Sequence, residues 1–274
     1  MKICGLNNIG NTCYMNSVIQ LLMNCPDFLS LIYKSENSSD TVKLFKSFIH
    51  KYYKGNGECV TPVEIKEILS SYRMFEGFSQ HDAHECLIYL IDMLCEEVKE
   101  AKNLFNLKIY TRIRSLEHEE QKNIFSDEIV LSLPVSDNLS ESYQMFCQKE
   151  IIENWLSDKT NTKVKAEKQY IVCYWGYYVV IVFKKYDGSR KLNKQIIIPH
   201  SWSIQNYTDN GQETISFDIT GAIVHFGHMM SGHYIAIVKN NDKFYVCNDS
   251  SIEEIENPTE LINKAYIVMF KRSS

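Results

Sequence analysis

Cys13 is the residue in this sequence best placed to act as a nucleophile. It follows a loop-like stretch, GLNNIGNT, and the apolar residues after it fall on helical spacing, so we expect Cys13 in the first turn of a helix capped by Thr12. The free N–H groups and the dipole of a helix N-terminus favour a thiolate over a thiol. The alternative is a buried core cysteine, which is the commoner fate of free thiols, and catalysis also needs a base.

A histidine-rich segment near the end of the chain supplies candidate bases. HFGHMMSGHYIAIV contains His225, His228 and His233, and His233 directly precedes an alternating apolar run typical of a strand. Held at the root of a strand, a neutral His233 imidazole can take the proton of a thiol and keep the sulfur ionised. The alternative is a strand histidine whose ring is simply hydrogen-bonded within the fold.

Two polar residues one hairpin later can orient this imidazole. FYVCNDSS places Asn248 and Asp249 at the end of a strand, and Asn-Asn-Asp at 240–242 predicts the turn that pairs this strand with the strand of His233. Side chains on paired strands lie within reach of each other, so either residue can accept a hydrogen bond from the ring. Both are also turn residues by type, and the two roles are compatible.

Acyl transfer further requires hydrogen-bond donors aimed at the oxyanion that develops on the substrate. The side-chain amide of Asn8, five residues before Cys13 in the same loop, is one candidate donor, and the Cys13 backbone N–H is a second. A thiol, a base, an orienting group and oxyanion donors together make up the site of a cysteine hydrolase.

Helices predicted in the first part of the chain must position the candidate site residues. Residues 42–53 form an amphipathic stretch, and a further helix is predicted to start at Ser79. The first turn of that second helix carries Asp82 and Glu85. Acidic residues there commonly complement the helix dipole, which is the plain structural interpretation of both.

From Phe105 onward the periodicity changes to the alternation typical of strands, with one short helix predicted at 143–156. The predicted strands are 105–114, 128–133, 170–186, 195–198, 215–226, 233–239, 244–247 and 266–270. Helices first and antiparallel strands afterwards indicate an α+β fold without an internal repeat.

Composition narrows the classes of protein further. The 274 residues are 45% hydrophobic with a net charge of −5, which is typical of a globular domain and argues against a nucleic-acid partner. The longest apolar run, 177–183, is too short to cross a bilayer, and no secretory signal is expected. Nine cysteines without a Cys-x-x-Cys pair predict neither disulfides nor zinc. We expect a cytoplasmic and nuclear protein that needs no cofactor.

Several segments resemble the signature boxes of the ubiquitin-specific proteases. They are GLNNIGNTCYMNS, SQHDAHE, and HFGHMMSGHY with FYVCNDSS, in the order that the family has them. FNLKIYTRIRS, LSLPV and VIVFKKYDG resemble the intervening strands. The resemblance implies one papain-like cysteine protease domain over 1–274, with a helical thumb at about 1–103 and fingers and an antiparallel β palm at about 104–274.

The resemblance also implies an activity and roles for residues. Members of the family cleave after the C-terminal Gly-Gly of ubiquitin, so Cys13 would be the nucleophile, His233 the base and Asn8 the oxyanion donor. Asn248 stands at the position of the third catalytic residue, and Asp249 beside it would share that role. The positions that would hold the extended tail of ubiquitin are Gln80, Asp82, Glu85, Gly232 and Tyr234.

The chain departs from the family pattern at the fingertips. Family members often carry two Cys-x-x-Cys pairs there that bind zinc, and this chain has none, so we expect reduced, metal-free fingers at about 107–170 and weaker ubiquitin affinity. Two alternatives stay open. One is the same chemistry on a ubiquitin-like modifier ending in Gly-Gly, and the other is an inactive ubiquitin-binding module, against which the intact Cys13, His233 and Asn8 argue.

Overall fold

The computed structural model describes residues 2–187, 190–208, 211–228 and 231–273. Most helices of this part of the chain precede the strands, which confirms the α+β prediction. The helices are α1 (Cys13–Met23), α2 (Pro26–Lys34), α3 (Asp40–Lys54), α4 (Val63–Ser70), α5 (Ala83–Glu97), α6 (Lys99–Phe105), α7 (Leu139–Cys147) and α8 (Thr259–Ile262). In the ranges given above, no helix combines the length and the apolar character that a membrane span requires.

The strands form two principal sheets. They are β1 (Leu107–Ser115), β2 (Gln121–Glu128), β3 (Val130–Leu133), β4 (Glu150–Leu156), β5 (Lys163–Tyr174), β6 (Tyr178–Phe183), β7 (Tyr186–Asp187), β8 (Arg190–Lys191), β9 (Ser201–Thr208), β10 (Gly211–His228), β11 (Ser231–Asn240), β12 (Lys243–Asn248), β13 (Ser251–Ile255) and β14 (Ile267–Arg272). The larger sheet, called the palm sheet below, has the order β13-β12-β11-β10-β14-β6-β3, with β9 paired to β10. The fingers sheet has the order β2-β1-β5-β4. Pairs are antiparallel apart from the parallel pair of β3 and β6.

The palm sheet is covered by protein on both faces. All six residues of β6 are buried, as its continuous apolar run predicts. Val180 and Val182 pack into one core with the helices α1 to α6, while Val179 and Ile181 pack into a second core on the opposite face. Because α1 packs directly on β11, the start of α1 lies beside the strand that carries His233.

A polar cluster joins two turns of the fingers sheet. Glu120 accepts hydrogen bonds from the Ser157 hydroxyl at 2.5 Å and from the N–H groups of Asp158 and Lys159 at 2.9 and 3.1 Å. The His118 ring lies 2.6 Å from the same carboxylate. These hydrogen bonds, the one from Ser157 first, hold the pKa of Glu120 below its usual value. The cluster therefore fixes the β1–β2 turn against the β4–β5 turn.

Helix α5 begins at Ala83 and not at the predicted Ser79. The Asp82 carboxylate accepts the His84 N–H at 2.7 Å, so Asp82 is the residue that caps the helix. The segment from Ser79 to Asp82 is instead an irregular loop that leads into the cleft.

Three other predictions differ from the observed helices and strands. The predicted helix at 143–156 is wrong in its second half, because α7 ends at Cys147 and the residues after it pair with β5 as β4. The predicted strand at 195–198 makes only an isolated bridge at Ile197. The predicted strand at 170–186 is broken into β5, β6 and β7, and β9 has no counterpart among the predicted strands.

Phe105 packs at the junction between the helices and the palm sheet. Its ring lies 5.2 Å from Phe28 and 5.4 Å from Tyr178, and it is fully buried. We expect Phe105→Ala to lower the free energy of unfolding in urea by about 3–5 kcal/mol, because it leaves a cavity between α2, α6 and β6. The matched control is Phe125→Ala at a ring that is 69% exposed, where a change within about 0.5 kcal/mol is expected. Equal losses in the two variants would contradict this picture of the core.

Candidate active site

Helix α1 begins at Cys13, as predicted, and the loop before it has the expected irregular backbone. Gly10 has φ 111° and Asn11 has φ 52°, both in the left-handed region. Thr12 precedes the helix but its side chain does not cap it. Its hydroxyl instead accepts the Ile9 N–H at 3.0 Å, so Thr12 stabilises the loop and not the helix start.

Cys13 is only 3% exposed, and this reverses one expectation. Burial raises its pKa above the ordinary value, and the negative charge of Asp249 raises it further. Hydrogen bonds from the Tyr234 N–H, the Gln80 amide and the Tyr14 N–H act in the opposite direction but are outweighed. The predicted preference for a thiolate is therefore wrong for the substrate-free chain, and the thiol depends on a base to lose its proton.

His233 is oriented by Asn248. The ring Nε2 lies 2.6 Å from the Asn248 Oδ1, and since an amide oxygen only accepts, Nε2 carries the proton that is donated. Nδ1 is then left with a free lone pair, which is the state a general base needs. The predicted hairpin turn between β11 and β12 is confirmed, with Asn241 and Asp242 at φ 49° and 62°.

The thiol lies against the segment of β11 that contains His233. The Tyr234 N–H faces Cys13 Sγ. On the other side of His233, the Gln80 amide nitrogen lies 3.6 Å from Sγ and 2.6 Å from the Gly232 carbonyl oxygen. The segment of β11 that carries His233 therefore lies at the thiol, directly through the Tyr234 N–H and indirectly through Gln80, which bonds to Gly232.

Asp249 does not share the role of Asn248 in this structure. Its two carboxylate oxygens accept from the Asn8 amide at 2.9 Å and from the Asn16 amide at 2.7 Å. Asp249 has φ 49°, so the chain turns sharply after Asn248 and the two side chains take different partners. We therefore correct the prediction of a shared orienting role: Asn248 contacts the imidazole, and Asp249 fixes the loop and helix that carry the thiol.

Asn8 is held in place on both sides of its amide. Its oxygen accepts the N–H groups of Gly10 and Thr12, each at 3.1 Å, and its nitrogen donates to Asp249. An amide nitrogen has two protons, so one remains for a further acceptor. This geometry fits the predicted oxyanion donor.

Among the residues predicted to hold a substrate tail, Asp82 and Glu85 differ in setting. The Asp82 carboxylate accepts from the His84 N–H and from the Tyr266 hydroxyl at 2.9 Å. Glu85 is exposed, and desolvation together with the charge of Asp82 raises its pKa. Tyr234 is 5% exposed, so its ring forms part of the wall.

The other two histidines of the segment have different settings. His225 is buried, its Nδ1 lies 2.8 Å from the Tyr186 hydroxyl, and its ring lies 4.4 Å from the Tyr234 ring. Burial, followed by the charges of Lys191 and His233, lowers the pKa of His225 to about 4. The structural interpretation holds for His225, a neutral support beneath the cleft. His228 ends β10 with an exposed side chain, and residues 229 and 230 of the motif lie outside the described residues.

Comparison with protein families decides what kind of site this is. The family model described as "Ubiquitin carboxyl-terminal hydrolase" matches residues 4–270 of the chain. The chain belongs to this family. The match includes Cys13, His233 and Asn248, so the site described above lies inside the family domain.

Two curated ubiquitin carboxyl-terminal hydrolases illustrate the relationship. The chain is 25% identical to Usp2 of Drosophila melanogaster over 99% of its own length and 35% of the relative's. It is 27% identical to ubiquitin carboxyl-terminal hydrolase 25 of Arabidopsis thaliana over 98% of its own length and 47% of the relative's. The chain therefore spans less than half the length of either relative.

Solved structures show the same fold. The SAGA Ubp8/Sgf11/Sus1/Sgf73 DUB module bound to ubiquitin aldehyde contains a chain that matches with a TM-score of 0.82 at 21% identity, over 99% of this chain and 70% of that one. A second structure of the SAGA DUB module, bound to monoubiquitin, matches with the same TM-score. The chain thus has the fold of solved ubiquitin hydrolase domains.

Asn16 is a site residue of this ubiquitin hydrolase domain that sequence reasoning missed. Its amide donates to Asp249 and lies within 3.4 Å of the carbonyl oxygens of Leu6 and Asn7. The available signal was a side-chain amide about one turn after Cys13, on a helix whose residues are mostly apolar. Within the described ranges, no group of three or more His, Cys, Asp or Glu residues is arranged to hold a metal ion.

The raised pKa of the Cys13 thiol leads to a prediction about its rate of alkylation. At pH 7 we expect iodoacetamide to modify Cys13 more slowly than Cys173, which is exposed, and we expect the Cys13 rate to rise with pH because its raised pKa leaves little thiolate at neutrality. Peptide mass mapping over a pH series measures both rates, and Cys13→Ser identifies the signal. A fast Cys13 reaction with no pH dependence near neutrality would show a preformed thiolate instead.

Proposed function

We propose that the chain is a deubiquitinase, a thiol hydrolase that cleaves the peptide or isopeptide bond after the C-terminal glycine of ubiquitin. The observation that carries this proposal is the Cys13 thiol packed against the strand segment of His233, through the Tyr234 N–H and through Gln80, while the ring of His233 is oriented by Asn248. Membership of the ubiquitin carboxyl-terminal hydrolase family supports the choice of substrate, as do two structures with this fold that contain ubiquitin aldehyde and monoubiquitin.

The first half-reaction forms an acyl-enzyme. His233 Nδ1 takes the thiol proton as Cys13 Sγ attacks the carbonyl carbon, and the electron pair of the C=O bond moves to oxygen. The Cys13 N–H and the Asn8 amide stabilise that oxyanion. When it collapses, the C–N bond breaks, the imidazolium gives its proton to the leaving amine, and a thioester remains on Cys13.

The second half-reaction returns the free enzyme. His233 takes a proton from water, and the resulting hydroxide attacks the thioester carbonyl through a second oxyanion at the same donors. The C–S bond then breaks, the thiolate takes the proton back from the imidazolium, and the ubiquitin carboxylic acid leaves and gives its own proton to solvent. Asn248 keeps the same Nε2 hydrogen bond throughout and fixes the ring for both proton transfers.

The tail of ubiquitin would enter along the loop before α5. Gln80 and Gly232 meet across the cleft at the thiol, Tyr234 forms the wall, and Asp82 and Glu85 line the start of α5. Weaker binding of ubiquitin by the fingers would make the tail contribute more of the binding, as the sequence predicts.

All nine cysteines are free, which supports action in the reducing cytoplasm and nucleus.

Reaction with ubiquitin bearing a C-terminal electrophile tests the nucleophile and the substrate together. We expect a covalent adduct, read by intact mass, with the wild-type protein and none with Cys13→Ala, which should keep ubiquitin binding while losing all turnover. An adduct only with another Gly-Gly modifier would support the modifier alternative. No adduct with any probe would overturn the proposal and favour a binding module.

The neutral partner of His233 leads to a pH prediction. Asn248→Asp puts a carboxylate against Nε2, which stabilises the imidazolium relative to the neutral ring. Because the neutral ring is the form that takes the thiol proton, the acid limb of kcat/KM against pH should move to higher pH by about one unit, on the order of 1.4 kcal/mol. A fluorogenic ubiquitin substrate measures the profile. An unmoved acid limb would show that residue 248 does not govern the ring.

A further inference from the structure

The two edges of the fingers sheet differ in how open they are to pairing with another strand. β4 forms one edge, and its pairing with β5 is interrupted by a register shift between Ile152 and Trp155. β2 forms the other edge and pairs with β1 over its whole length without a shift. An irregular ladder is one of the ways in which proteins protect a sheet edge from other chains. The sheet therefore has one protected edge and one regular edge, which we call the β2 edge.

The backbone of the β2 edge is available for a further ladder. Its sequence, QKNIFSDE, contains no proline, and in the described part of the chain β1 is the one strand that pairs with it. Seven of its eight residues are exposed, so no side chain or loop covers the strand. In an antiparallel pair only alternate residues turn their N–H and C=O groups toward the neighbour, and the remaining groups of β2 point outward.

An apolar row of side chains ends at the β2 edge. Phe125 is 69% exposed, and no large apolar side chain among the described residues is more exposed. Its ring lies 5.1 Å from that of Tyr110, its direct partner on β1, and Ile171 lies opposite Tyr110 on β5. The row thus crosses three strands, and its last ring has no neighbour on the outer side.

β2 can pair with β2 of a second copy in a register that matches its own residues. Opposite residues of an antiparallel pair must both turn their backbone groups toward each other or both away, so their residue numbers differ by an even number. The register centred on Phe125 places the two Phe125 rings opposite each other. The same register places Lys122 opposite Glu128 of the second copy, twice, on the two sides of the axis.

The neighbouring registers match less well. The register centred on Ile124 places Lys122 opposite Ser126. The register centred on Ser126 places Phe125 opposite Asp127. Neither brings opposite charges together or continues the apolar row, so the side chains of β2 favour the register centred on Phe125.

The two kinds of contact would lie on opposite faces of the joined sheet. Glu128 lines the cavity between the fingers sheet and the palm sheet, and Lys122 lies on the same face because side chains alternate along a strand. Phe125 lies on the other face. Lys122 Nζ is 2.8 Å from Asp158 of its own chain, and an ammonium has three protons, so donors remain for a carboxylate of a second copy.

We propose that two copies of this chain associate through the β2 edge, antiparallel about a two-fold axis at Phe125, and form one sheet with four strands from each copy. Each copy contributes the same surface, as a closed two-fold dimer requires. Because a single strand from each copy makes the contact, the buried area is small and the dimer dissociates on dilution. The inference is independent of the proposed function, since β2 carries none of the residues of the candidate active site.

Sedimentation velocity over a series of protein concentrations tests the association. For the wild-type protein we expect the average mass to rise with concentration from that of one chain towards that of two. Phe125→Lys should raise the dissociation constant by about tenfold or more, because it sets two like charges opposite each other at the axis. The matched control is Ile151→Lys, at an exposed apolar residue of the β4 edge, which should associate like the wild-type protein.

Exchange of charges tests the register. Lys122→Glu and Glu128→Lys should each raise the dissociation constant by about tenfold or more, because each variant meets like charges at both sides of the axis. An equimolar mixture of the two variants should associate as tightly as the wild-type protein. In the mixture, a chain that is acidic at both positions meets a chain that is basic at both.

Three results would overturn the proposal. A wild-type protein that stays a monomer at every concentration would leave the β2 edge to a protein of different sequence. A dimer that persists unchanged in Phe125→Lys would place the contact elsewhere on the chain. Charge variants that fail to recover when mixed would reject the register centred on Phe125. Recovery in the mixture also shows that both variants are folded, and melting temperatures show this for the Lys variants at Phe125 and Ile151.

Discussion

The site depends on the hydrogen bonds that Asp249 accepts. Its carboxylate binds the amides of Asn8 and Asn16, while its backbone oxygen accepts the Leu6 N–H at 2.8 Å. These three groups belong to the loop and helix that carry the thiol, and Asp249 directly follows the residue that orients the imidazole. Charge-assisted hydrogen bonds of this kind are stronger than neutral ones and fix direction as well as distance. The nucleophile and the base are therefore connected through one residue, Asp249, and its chain neighbour Asn248.

Local sequence was enough to find the nucleophile, the base and the residue that orients the base. A glycine- and asparagine-rich loop before an apolar helical period placed Cys13 at a helix start, and an Asn-Asn-Asp turn between alternating runs paired the strands of His233 and Asn248. Both signals rest on neighbours in the chain, where backbone preferences act directly. Boundaries were less certain, since Asp82 and not Ser79 caps α5.

The features of the site that could not be predicted from the sequence depend on contacts between distant residues. Asn248 and Asp249 are adjacent polar residues, but their side chains have different hydrogen-bond partners. The left-handed backbone at Asp249 turns the chain between them. The Asn16 partner of Asp249 is 233 residues away. The pKa of the Cys13 thiol also depends on distant residues. The helix start is visible in the sequence, but the burial that raises this pKa comes from Gln80 and β11, which pack around the sulfur.

The enclosed thiol also has a consequence for chemical durability. Peroxide and other oxidants attack cysteines in proportion to their thiolate character and their accessibility, and Cys13 offers little of either while the cleft is empty. The exposed thiols Cys59 and Cys173 would be oxidised first. Burial of this kind therefore protects the Cys13 thiol from oxidation while the cleft is empty.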